Sequence, residues 1–135
     1  MSSSARRFWI SVVIAGAATT SGCILFAAGA GAGGAIYVGD RGVESEVAAP
    51  VDKVYEASRQ AFKELGIAET RTSTEQEAGV EKRVLGGTIT DRKVTASFKT
   101  QGAGTHAEIV VEKTPVTWDK KLAKRVMERV VALSR

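Results

Sequence analysis

Lys93-Val94-Thr95-Ala96-Ser97-Phe98-Lys99, followed after Gln101-Gly102-Ala103-Gly104 by His106-Ala107-Glu108-Ile109-Val110-Val111-Glu112, is the stretch that decides the fold. Its period is two. Val94, Ala96 and Phe98 share one side, and Lys93, Thr95, Ser97 and Lys99 take the other. After the glycine-bearing turn, Ala107, Ile109 and Val111 alternate with His106, Glu108 and Glu112. Successive strand side chains point to opposite faces, so this pattern predicts an antiparallel hairpin with one dry and one wet face. Working outward, Gly79 to Thr90 reads as another strand turning at Asp91-Arg92, and Ile67 to Thr74 as a weaker one. Val43 and Val47, with acidic neighbours Glu44 and Glu46, suggest a strand near the start of the domain.

The dry side of such a sheet needs a cover, and two segments with a helical period supply it. Val51, Val54, Tyr55, Ser58, Ala61, Phe62 and Leu65 recur at steps of three and four, which predicts a helix over 50–65. Pro50 suits its first position, Asp52 its first turn, and Gly66 its end. A second helix near the C-terminus is read with Thr117 as cap and Asp119 in the first turn. Trp118, Leu122, Val126, Val130 and Leu133 form its stripe, widened by Met127 and Val131. Lys120, Lys121, Lys124, Arg125 and Arg129 lie on its other side, either as a solvated face or as a contact with anionic lipid headgroups. The expected order is β-α-β-β-β-β-α. The economical architecture is an α+β two-layer sandwich, with an antiparallel sheet and both amphipathic helices on one face.

Composition divides the chain of 135 residues into unlike parts. Eight of its 14 glycines lie between Gly16 and Gly42, and no charged residue occurs from Phe8 to Gly39. Arg6 and Arg7 precede the apolar run Phe8-Trp9-Ile10-Ser11-Val12-Val13-Ile14, the layout of an export signal. Thr19-Thr20-Ser21-Gly22 then leads to Cys23, the only cysteine. The expected division is 1–22 signal, 23–39 Gly/Ala-rich apolar tether, and 40–135 domain. One Cys and one His exclude an internal disulfide framework and a closed structural zinc site. From Cys23 on there are 17 basic residues (19 minus Arg6 and Arg7) against 15 acidic, a net +2 without a nucleic-acid motif. No nucleic-acid partner is expected.

Small residues before the lone Cys23 resemble a lipobox, with Thr20 standing where that pattern prefers Leu. The resemblance implies cleavage between Gly22 and Cys23 and a diacylglycerol thioether on Cys23, usually with an acylated amine, so that membrane lipid is a partner. By the sorting rule of enteric bacteria, Ile24 in place of Asp implies the outer membrane. With the Gly/Ala run ending in Ile36-Tyr37-Val38, and with Val51, Val54-Tyr55, Ala57, Ala61-Phe62 and Glu64-Leu65-Gly66, the chain resembles a family of small proteobacterial lipoproteins. That family is catalogued as domain of unknown function 3568, and the likeness spans most of residues 22–113. It implies a cell-envelope location facing the periplasm and carries no catalytic residues over. Left uncleaved, residues 8–38 have the length to span a membrane as one tilted helix, so a single-pass protein stays open.

Several constellations bear on chemistry. Gly29-Ala30-Gly31-Ala32-Gly33-Gly34 matches G-x-G-x-x-G in form, but a strand-like segment follows it where a dinucleotide loop needs a helix. Gly29 and Gly33 are also spaced for close helix packing in lipid. His106, Glu108 and Glu112 share a strand face, yet i and i+2 positions about 7 Å apart suit a single metal ion poorly. No G-x-S-x-G elbow accompanies His106, and Glu75 and Glu77 sit in polar, turn-like sequence. The reading is therefore not an enzyme, with no catalytic residue, metal or cofactor. It is a lipid-anchored module that binds or positions an unidentified envelope protein or ligand. The alternative is a small-ligand or lipid-binding domain with its cleft between sheet and helices.

Overall fold

A computed structural model describes residues 35–135. Cys23, Gly22, the glycine run from Gly29 to Gly34 and the boundary between signal and tether lie outside the described residues. The domain is the expected α+β sandwich. One antiparallel sheet carries two helices, in the chain order β1 (Ile36–Val38), β2 (Gly42–Val47), α1 (Val51–Glu64), β3 (Ala68–Glu77), β4 (Val80–Ile89), β5 (Arg92–Gln101), β6 (Gly104–Thr114), β7 (Thr117–Trp118) and α2 (Lys120–Leu133).

The hairpin that fixed the fold is β5–β6, with Phe98 opposite Ala107 and Ala96 opposite Ile109. β3 and β4 extend it as a meander, and β2 docks on the free side of β6, giving the order β1-β2-β6-β5-β4-β3. Alternation then sorts the side chains. Val43, Val47, Leu85, Val94, Ala96, Phe98, Ala107, Ile109 and Val111 are fully buried against the helices. α1 adds Val54, Ala61 and Phe62, and α2 adds Ala123, Val126, Met127 and Val130. Tyr55 meets the Phe98 ring edge-on, with centroids 6.0 Å apart. Side chains thus fill the space between sheet and helices, where the ligand-binding alternative had placed its cleft.

Several elements differ from expectation, each for a local reason. Ile36–Val38, assigned to the tether, pairs with β2 as an edge strand. Glu75 and Glu77 belong to β3, paired with Lys82 and Val80, and the turn falls at Ala78-Gly79, both with positive φ. The β4–β5 turn starts one residue early, at Thr90, which adopts φ 56°. Pro50 stands at the N-cap, and its carbonyl accepts the Val54 N–H. Thr117 does not cap α2. It pairs with Thr114 in β7, where the two hydroxyls lie 2.6 Å apart, and Trp118 pairs with Glu112. Asp119 is the cap, its Oδ1 accepting the Leu122 N–H at 3.0 Å. Trp118 therefore leaves the helical stripe, whose buried members are Ala123, Val126, Met127, Val130 and Val131.

Candidate functional site

The basic residues of α2 are all exposed, but the structure divides them. Arg129 reaches across to α1 and donates to Glu64. That bond, with help from Gln60, holds the Glu64 carboxyl below the usual carboxylate range. Lys124 lies 3.9 Å from Glu128, one turn along α2. Lys120 projects from the first turn. Lys121 and Arg125 face a cleft of about 450 Å³ where α2 begins, and Arg92 and Lys113 reach it from the ends of β5 and β6. Ile89 and Leu122 form its apolar lining.

Asp119 is the acidic residue of this cleft, and both of its oxygens are engaged. Oδ1 caps α2, and Oδ2 lies 2.9 Å from Arg92 Nε. Sequence reading identified Lys121 and Arg125 as basic but not the cleft. Arg92 and Lys113 come from strands whose ends meet α2 only because β7 turns the chain back along β6. The Asp119 N–H donates to the Val111 carbonyl at 2.8 Å and fixes that turn.

A second polar cluster lies on the wet face of the sheet. His106 sits opposite Glu46 of β2, and its Nδ1 is hydrogen-bonded to that carboxylate. Glu46 is only 8% exposed. The Gln101 amide, oriented to donate, lies 3.2 Å from both Glu46 oxygens. Nearby, Glu77 takes Lys99 at 2.9 Å and Lys82 at 3.3 Å, and hydrogen bonds from these two hold its carboxyl low, Lys99 contributing most. An open hollow of about 370 Å³ separates the two groups, lined also by Val80 and Thr100.

His106 is thus clamped by a residue the sequence reading had not paired with it. Its same-strand neighbours go elsewhere: Glu108 faces Glu44 and Ser97, and Glu112 faces Lys93 and Trp118. Among the described residues no three His, Cys, Asp or Glu side chains are grouped to hold a metal ion. The hollow beside His106 is lined by neither Ser nor Cys; Thr100 supplies its hydroxyl and Lys99 its amine, which is held by Glu77.

A helix-backed antiparallel sheet with charged groups at its rim and on its wet face defines a small α+β module. Residues 7–128 match the family described as "Protein of unknown function (DUF3568)", and the chain belongs to that family. No curated protein and no solved structure matches the chain.

Proposed function

We propose that this protein is a lipoprotein of the bacterial cell envelope, held by acyl chains on Cys23, whose domain faces the periplasm and binds or positions other envelope components. The observation that carries this reading is the sequence Arg6-Arg7, an apolar run, Ser21-Gly22 and then the chain's only Cys. One further fact fits it: Ile36–Val38 form a strand paired with β2 and are not part of a helix over 8–38. One acyl chain gives only marginal membrane binding, and the two chains of the diacylglycerol already exceed that, with an acylated amine adding a third. Ile24 behind Cys23 points the anchored protein to the outer membrane. We read the domain as a binding module rather than an enzyme, because the hollow beside His106 and Glu46 offers neither a Ser nor a Cys and its Lys99 is held by Glu77.

Mass spectrometry of the mature N-terminus from native envelopes tests this. The expected chain begins at Cys23 and carries diacylglycerol and an amide-linked acyl group such as palmitate. An unmodified chain that begins before Cys23 refutes the anchor and leaves a single-pass protein.

A further inference from the structure

We infer that the cleft at the start of α2 binds an oxyanion of the phosphate class, in a phosphomonoester or phosphodiester. The charge arrangement leads to this. Four cationic side chains, Arg92, Lys113, Lys121 and Arg125, surround a cleft with one carboxylate. That carboxylate is occupied by Arg92 and by the Leu122 N–H. Elsewhere on α2, Lys124 is paired with Glu128 and Arg129 with Glu64, while Lys120 stands apart from the cleft. No ion pair among the described residues involves Lys113, Lys121 or Arg125. The cleft therefore gathers three cations that have no ion-pair partner.

This concentration has an internal cost. Lys121 and Arg125 stand at i and i+4, a spacing at which like charges repel by a few tenths of a kcal/mol. The positive end of the α2 dipole lies at the same place and adds to the field. An anion seated there relieves both. The donor set selects among anions. The Arg125 guanidinium fork suits bidentate contact with phosphate oxygens, two ammonium groups act as point charges beside it, and Arg92, held by Asp119, adds to the field. The donors come from the ends of β5 and β6 and from α2, and so surround a tetrahedral oxyanion better than a planar carboxylate. Ile89 and Leu122 provide a low-dielectric wall that strengthens the field and accepts the apolar part of an ester.

Amine-reactive footprinting of the full chain tests the site without disturbing the fold, with each lysine quantified by peptide mass spectrometry. Inorganic phosphate is added to protein in neutral detergent. In parallel, nanodiscs of phosphatidylcholine are compared with nanodiscs containing phosphatidylglycerol. Labelling of Lys113 and Lys121 is expected to fall several-fold while Lys124, on the same helix, stays unchanged. Sodium chloride at matched ionic strength is expected to protect none of them. Protection by inorganic phosphate assigns a free phosphate ester, and protection only with phosphatidylglycerol assigns a lipid headgroup; either supports the site. Arg125→Gln should abolish most of the protection and Lys124→Gln none. Equal protection of Lys113, Lys121 and Lys124, or protection of none in every arm, overturns the inference. The site shares with the proposed function only an envelope setting that brings phosphate near. A Cys23→Ser chain, which cannot be acylated, should keep whatever protection inorganic phosphate gives, so failure of the anchor and failure of the site are read separately.

Discussion

Gly86 and Gly87 are adjacent in β4 and point to opposite faces of the sheet, which makes them a test of register. A Cβ on Gly87 would lie 2.7 Å from Ile67 Cγ2 and 2.9 Å from both the Phe62 ring and the Ala68 carbonyl oxygen. Two of those neighbours belong to the buried core, and the third is backbone at the start of β3. A Cβ on Gly86 would meet the Arg71 Cβ at 3.3 Å, with the Arg71 carbonyl oxygen and Thr70 Oγ1 at ordinary contact distances of 3.7 and 3.8 Å, on the wet face. Overpacking a filled core costs about 1–3 kcal/mol. Replacing Gly by Ala recovers about 0.4–1 kcal/mol from the unfolded chain where the backbone fits. Gly87→Ala should therefore lose about 1–2 kcal/mol net, and Gly86→Ala should stay near zero. For a domain of this size 1 kcal/mol moves Tm by about 4–8 °C. Urea unfolding and calorimetry on both variants give the comparison. A one-residue slip of β4 would exchange the two faces. If Gly86→Ala lost as much as Gly87→Ala, or more, the register and the core built on it would be wrong.

Phe98→Ala should cost about 3–5 kcal/mol in urea unfolding, because the side chain is fully buried and also loses its edge contact with Tyr55. Asp119→Ala should lose about 1 kcal/mol through the missing cap and more through the lost pairing with Arg92, whereas Asp119→Asn should keep the cap and lose only the pairing, both read by urea unfolding. Glu64 is held below its ordinary value of 4.5 chiefly by Arg129. A carboxyl with a lowered folded pKa binds its proton more readily when unfolded, so its contribution is present above 4.5 and is lost as pH falls through the folded value. Glu64→Gln should flatten that acid limb of the stability curve, measured by unfolding at a series of pH values.

The helices and the β5–β6 hairpin were legible because each signal is local. The spacing of Val54, Ala61 and Phe62, or of Val94, Ala96 and Phe98, already states which side is dry. The same alternation in β2 puts Glu46 on the wet face but does not say which strand lies beside it. The pairing of Glu46 with His106 joins residues 60 apart and depends on how strands order across the sheet, which no local period encodes. The cleft was hidden for a related reason. Lys121 and Arg125 are visible as helix charges, but Arg92 and Lys113 join them only through β7, a strand of two residues with no period to detect. Thr117 and Asp119 both have capping side chains, and the Thr114–Thr117 turn decides between them.

The docking of β2 beside β6 also has a consequence in time. A chain emerges from its N-terminus first, so β2 waits for β6 to appear. Meanwhile it has only the three-residue β1 to pair with, and an isolated two-stranded hairpin is marginally stable in water. Val43 and Val47 are exposed to any other strand during that interval. Glu44 and Glu46 stand between them, and charges within an apolar strand discourage pairing with the wrong chain. Glu46 therefore serves twice in the life of the molecule. It keeps a young strand soluble, and it later meets His106 when the intended neighbour arrives.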